Sequence, residues 1–239
     1  MTIPAVLMIG ITKSGVGGSN ALGVSLMSMA VTVPQATAIL LPLICLTDLF
    51  GLWVFRGHYD WRNLKIMIPG GTIGLVIGWA TFSYLDSTAV KVIVGLIALW
   101  FAVAQFLPLI RKTEVPTAGP NVPKGVFWSA VAGFTSFVAH AGQPPMSIYL
   151  VPQRLDKALY LGTNAVFWAY ANYFKLVPFA ALGQLNTANL STSLMLVPLV
   201  PAGVWLGLWI QRHLSQQMFY KVVLILLALS GVQLIISAL

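Results

Sequence analysis

The sequence predicts an all-α polytopic membrane protein built as an inverted-topology repeat, each half holding one broken or re-entrant helical segment and three transmembrane helices. Three observations carry this expectation. First, the 239 residues are 58% hydrophobic and 8% charged, with a mean hydropathy of +0.88. A soluble domain carries about 25% charged residues, so this chain cannot cover a water-facing surface. Soluble enzymes and nucleic-acid-binding domains are thereby excluded, and the partners expected are the lipid bilayer and a small solute. Second, six stretches are apolar over the roughly 20 residues that a bilayer crossing needs. Third, two further apolar stretches are interrupted by glycine or proline, one opening each half of the chain.

Taken in order, the first repeat (residues 1–110) opens with a broken segment at 2–33, followed by spans at 34–55, 66–85 and 89–110. Its break is Lys13-Ser14-Gly15-Val16-Gly17-Gly18-Ser19-Asn20. Residues 111–123, with Pro116, Gly119, Pro120 and Pro123, read as a linker. The second repeat (124–239) opens with a segment at 124–152, broken by Ala139-His140-Ala141-Gly142-Gln143-Pro144-Pro145, and continues with spans at 156–180, 191–210 and 219–239. Broken backbone at membrane depth persists only where protein or a wet cavity surrounds it. No cleavable signal peptide is expected, because residues 1–10 lack a charged start. Cys45 is the single cysteine, which leaves no disulfide framework and no thiolate metal site.

The basic residues set the topology. Arg56, Arg62 and Lys65 follow the first span, and Arg111, Lys112 and Lys124 follow the third. Arg154 and Lys157 precede the fourth, and Arg212 and Lys221 lie between the fifth and sixth. The positive-inside rule places all four groups in the cytoplasm, and this also accounts for the net charge of +8. The path is consistent only if segment 124–152 returns to the side it left. It is therefore expected as a hairpin bent at 142–145, with two arms of about a dozen residues reaching mid-membrane at 1.5 Å per residue.

The halves also share sequence. Gly10-Ile11-Thr12 matches Gly133-Phe134-Thr135, each just before its break. Pro69, Gly74 and Gly78 match Pro198, Gly203 and Gly207 at a constant offset of 129, and Lys91-Val92 matches Lys221-Val222 at an offset of 130. The charge walk starts the first span outside and its counterpart inside. Similar halves in opposite orientation are the mark of many secondary transporters.

Lys-Ser-Gly-x-Gly-Gly near the start, Leu-Pro-Leu-x-Cys-Leu-Thr-Asp-Leu-Phe at 41–50 and Gly-Phe-Thr-Ser-Phe-x-Ala-His-Ala-Gly-x-Pro-Pro at 133–145 resemble the TauE/SafE family of sulfite exporters and sulfonate permeases. The last block is followed by Pro152-Gln153-Arg154-Leu155-Asp156-Lys157, and the resemblance extends over essentially the whole chain. Gln143 departs from the pattern, standing where the family usually has glycine. The resemblance implies a bacterial inner (plasma) membrane protein that transports sulfite, sulfoacetate or other organosulfonates. Transport direction, coupling to protons or another ion, and assembly into a homo-oligomer stay open.

An oxyanion held at the midplane needs hydrogen-bond donors and positive potential. Broken helices supply both at half-helix N-termini, and glycine lets a ligand approach backbone N–H groups. Gly15, Gly17, Gly18, Ser19 and Asn20 are expected to line one side of such a site, with His140, Ala141, Gly142, Gln143 and Ser147 on the other and the arms starting after Gly18 and after Pro145. Glycines serve tight helix crossings equally well. Lys13, a cation inside an apolar segment, either meets the anion or snorkels to the outer surface. Asp48 is either a coupling group for a proton or cation, or a structural partner for Lys13 or a backbone N–H. His140 either binds the anion when protonated, relays a proton or packs between helices. Asn164, near mid-membrane, is the pathway candidate on its span. Tyr170, Asn172 and Tyr173, at offsets of six, eight and nine from it, do not all share one face, and Lys175 is expected to snorkel at the outer end. The eight tryptophans are expected as interfacial anchors or packing.

No nucleophile–base pair, metal-ligand cluster, phosphate-binding loop or ATP-hydrolysing domain is legible, so neither catalysis nor a cofactor is expected. A secondary carrier is the leading expectation. An anion channel with a static filter at the same breaks is the alternative, and a membrane enzyme comes third.

Overall fold

The computed structural model describes residues 2–11, 21–28, 30–31, 33–82, 84, 87–110 and 117–238. The described residues form α-helices throughout, joined by short turns and one 3₁₀ turn. In chain order these are α1 (Thr2–Ile11), α2 (Ala21–Ser28), α3 (Val33–Val54), α4 (Trp61–Thr81), α5 (Ser87–Ile110), α6 (Val122–Ala139), α7 (Gln143–Leu150), α8 (Lys157–Ala181), α9 (Thr187–Leu196), α10 (Leu199–His213) and α11 (Gln216–Ile236), with the 3₁₀ turn at Val151–Gln153.

Among the described residues, four helices are long and apolar enough to cross a membrane: α3, α4, α5 and α11. The bent pair α9–α10 makes a fifth candidate, broken by 50° where one continuous span is expected from the sequence. Pro198 is the cause. It lacks the N–H that would continue α9 and its ring crowds the preceding turn. At the matched position in α4, Pro69 is carried inside an unbroken helix. The remaining expected span, the fourth in the chain, is α8, which has 25 residues and is about 37 Å long. Its Asn164, Asn172 and Lys175 keep it outside the apolar set, and all three are buried against other helices.

Burial separates central from peripheral helices. In α3, 61% of the apolar window is buried, against 28% in α5. Trp100 on α5, Trp205 on α10, and Leu194 and Met195 on α9 are exposed, forming part of an apolar outer surface suited to lipid.

Close crossings depend on glycine. A Cβ at Gly74 of α4 would fall on the Ala130 carbonyl oxygen of α6 and 2.8 Å from Phe134 N. The α1–α10 contact follows the same rule: a Cβ at Gly10 would sit 2.7 Å from Gly203 Cα, and one at Gly203 would sit 2.9 Å from the Leu7 carbonyl oxygen. α5 and α11 cross at Gly95 and Gly231, each facing the other's carbonyl. Backbones this close exchange dispersion contacts that larger side chains would prevent.

Helices α6 and α7 form a hairpin. Its ends lie together, with Tyr149 of α7 against Gly125 of α6 and Ala118 N–H bonded to the Pro152 carbonyl at 3.1 Å. A mutual amide pair fastens it to the start of α4: Asn63 Nδ2 donates to Gln153 Oε1 at 2.8 Å and Gln153 Nε2 donates back at 3.1 Å. The arms have 18 and 8 residues rather than two equal dozens, and the bend lies at 140–142, ahead of the prolines. His140 caps α6 in the left-handed conformation (φ 52°), while Pro144 and Pro145 begin α7 instead of breaking it, because the first helical turn needs no N–H from them.

Candidate functional site

The α6–α7 bend collects a set of buried polar side chains. Gln143, Ser147 and Asn164 are each less than 10% exposed and lie together. Gln143 Nε2 faces Ser147 Oγ and Asn164 Oδ1, both at 3.4 Å. Its Oε1 accepts from the Trp168 indole at 2.8 Å. An indole N–H only donates, so this bond fixes the Gln143 amide with its –NH₂ turned toward Ser147 and Asn164. Asn164 is fixed in turn, its Nδ2 donating to the Tyr160 carbonyl one turn earlier at 3.0 Å.

The prolines change the chemistry expected of this bend. A helix N-terminus offers its first N–H groups to an anion, but Pro144 and Pro145 have none, and Met146 N–H is engaged by the Gly142 carbonyl at 3.3 Å. Ala141 N–H bonds to the Thr135 carbonyl at 3.1 Å, and its own carbonyl accepts from Thr135 Oγ1 at 3.2 Å. Ala141 thus closes the bend, and its methyl packs with Val94 of α5 and Leu234 of α11. Gly142 serves packing, since a Cβ there would fall on the Trp168 ring and 2.6 Å from the Ala132 carbonyl oxygen. Most of the hydrogen bonding at this site therefore comes from side chains of α7 and α8.

His140 packs edge-on to Phe179, ring centroids 6.1 Å apart, with Lys175 as its charged neighbour. Lys175 does not snorkel. It is 1% exposed and its Nζ donates to the carbonyl and Oγ of Ser136 at 3.0 and 2.6 Å. The reason is position on the helix: Lys175 lies on the inward stripe of α8, and α6 supplies two acceptors before the side chain could reach the surface. Asn172 Oδ1 lies 3.5 Å from the same ammonium, and its Nδ2 donates to Asp48 Oδ2 at 2.8 Å. Asp48, 2% exposed on α3, is thus joined through an amide to the buried cation. A carboxylate and an ammonium taken out of water need such partners.

Lys13, Gly15, Gly17, Gly18, Ser19 and Asn20 lie outside the described residues. The reading from sequence missed Trp168, Lys175 and Tyr160, although the signal was present. Tyr160, Asn164, Trp168, Asn172 and Lys175 recur at intervals of four, four, four and three, one face of a helix. Tyr170 and Tyr173 lie off that stripe: Tyr170 pairs its hydroxyl with Thr72 at 2.7 Å, and Tyr173 reaches the Cys45 carbonyl at 3.3 Å.

No curated protein and no solved structure matches the chain significantly. A family model spans nearly all of it, and the family is one of membrane exporters, not of enzymes. Matched over residues 2–234, this multi-pass, all-helical chain belongs to the family described as sulfite exporter TauE/SafE.

Proposed function

We propose that the chain is a secondary transporter of small sulfur-containing oxyanions, such as sulfite, sulfoacetate or other organosulfonates, in a bacterial plasma membrane. Substrate binds near the midplane between the α6–α7 bend and the Gly-rich segment at 12–20. The observation that carries this reading is the buried cluster of Gln143, Ser147, Asn164 and Trp168 at a break in the fold. Buried polar groups in a membrane interior are costly and mark pathways. Lys175 and His140 beside the same bend supply a cation and a titratable ring. In this reading Asp48 is the coupling or structural carboxylate, and Lys13 approaches the anion from the first half.

Helix pairing favours an inverted repeat as the scaffold. The broken arm α6 of the second half packs on α4 of the first, and the broken arm α1 of the first packs on α10 of the second. Gly74 against Ala130 has its counterpart, at the offsets of the matched motifs, in Gly203 against Leu7. Two equivalent units exchanged in this way can rock against each other around a fixed site.

Reconstitution into proteoliposomes tests the reading. Saturable uptake of sulfite, with counterflow by unlabelled sulfite and competition by sulfoacetate or taurine but not by acetate, is the expected result. A large ohmic conductance without counterflow would replace the carrier with a channel. Failure of every sulfur oxyanion to compete would remove the substrate assignment.

A further inference from the structure

The Tyr160 hydroxyl stands apart from the other polar groups of α8. The residue is fully buried, and its ring is held edge-on by Phe219 and Tyr220, with centroids 5.7 and 5.9 Å away. The hydroxyl lies beside the side chains of Ser147, Gln143 and Asn164, yet makes no hydrogen bond of good length and angle among the described residues. A buried hydroxyl without a partner is expensive, and its persistence calls for an explanation. The surrounding side chains are directed by other bonds. Trp168 holds the Gln143 oxygen away from the cluster, and the Tyr160 carbonyl holds the Asn164 –NH₂ against its own helix. The two hydrogen bonds that Gln143 Nε2 makes inside the cluster are at 3.4 Å, near the outer limit for such a bond, so a stronger acceptor would displace them.

We infer that Tyr160 is a substrate-binding residue whose hydroxyl donates to the oxyanion, together with Gln143 Nε2 and Ser147 Oγ. The inference rests on the transport reading above and adds to it a donor set. Three donors converge from two helices, matching the three oxygens of an –SO₃ head, whether it belongs to sulfite or to a sulfonate. A carboxylate can accept three hydrogen bonds, but two of the donors must then share one oxygen in a single plane, a poorer match to donors converging from two helices. Phe219 and Tyr220 hold the Tyr160 ring edge-on.

The test uses the full chain in detergent, with calorimetric titration of sulfite, methanesulfonate and acetate. Tyr160→Phe keeps the ring and its packing and removes only the oxygen. It should weaken sulfite and methanesulfonate binding about tenfold to a hundredfold, the loss expected for a hydrogen bond to a charged acceptor. The melting temperature without substrate should be unchanged or higher, because an unsatisfied buried hydroxyl has been deleted. Ser147→Ala, which leaves Tyr160 in place and removes the donor across the cluster, should weaken both –SO₃ ligands as well. It decides the question by itself should Tyr160→Phe fail to give folded protein: unaltered affinity in Ser147→Ala would then overturn the donor set. If the parent binds sulfite and Tyr160→Phe binds it equally well, the Tyr160 assignment is wrong and the transport reading stands. If the parent binds neither –SO₃ ligand, both fall together.

Discussion

The Trp168–Gln143 hydrogen bond allows a quantitative test of how the α6–α7 bend is held. The bond is 2.8 Å long and joins two side chains that are 7% and 8% exposed. Gln143→Leu keeps a side chain of similar bulk but removes the oxygen, so the Trp168 indole N–H is left buried without an acceptor. That penalty is about 1–3 kcal/mol. The two 3.4 Å hydrogen bonds from Gln143 Nε2 disappear in the same variant, but at that length they are weak and add little. Trp168→Phe creates the opposite orphan, the Gln143 oxygen, and also removes the part of the ring that packs on Gly142. In the double variant neither orphan exists. The combined loss should therefore fall short of the sum of the single losses by about 1–2 kcal/mol, the size of coupling typical of directly bonded side chains. Unfolding of the four proteins in mixed SDS–detergent micelles, followed by circular dichroism, measures each loss. Losses that add to within about 0.5 kcal/mol would mean that the bond does not orient Gln143, and the donor geometry argued for Gln143, Ser147 and Tyr160 would lose its basis.

Three further outcomes are expected. Gly74→Ala places a methyl on the Ala130 carbonyl, with backbone on both sides and no rotamer to relieve it, so it should cost about 3 kcal/mol or more. Gly57→Ala, with nothing within 4 Å but a φ of +80°, should cost only about 1–2 kcal/mol of backbone strain; equal losses in the same unfolding assay would contradict the close α4–α6 crossing. Lys175→Met should destabilise by about 2 kcal/mol or more through the buried Ser136 and Asn172 groups left behind, whereas Lys221→Met, at an exposed site, should stay within about 0.5 kcal/mol. Similar values for the two would restore a snorkelling Lys175. Cysteine introduced by Arg154→Cys and by Arg212→Cys should react with a membrane-impermeant maleimide only from the cytoplasmic side, and labelling of Arg154→Cys from outside would remove the hairpin from the topology.

The sequence by itself determined the class of the molecule and the stretch in which its second half breaks. Too few charges for a water-facing surface, apolar runs of bilayer length and basic residues grouped in four places are properties of composition and order, so they need no knowledge of which helix touches which. The stretch that holds the break was legible from its glycine and prolines, but not the bend itself, which His140 makes in the left-handed conformation while the prolines start α7. Tertiary structure decided what local rules cannot reach. Pro69 and Pro198 are the same residue in matched contexts, yet only Pro198 bends its helix, since the cost of a missing N–H depends on what the neighbouring helices fill in. Lys175 lies near enough to a helix end to snorkel, and only the presence of Ser136 on α6 shows why it does not. Gly142 reads as a place for a ligand to approach until Trp168 is found already there. The α8 stripe from Tyr160 to Lys175 was periodic in sequence, but a helix can turn any of its faces toward lipid or protein. Which face is buried depends on the packing of α3 and α4 against it, with α6 meeting it at Lys175 and Phe179, and that packing made Tyr160, Asn164 and Trp168 the surroundings of the bend and left Tyr170 and Tyr173 outside it.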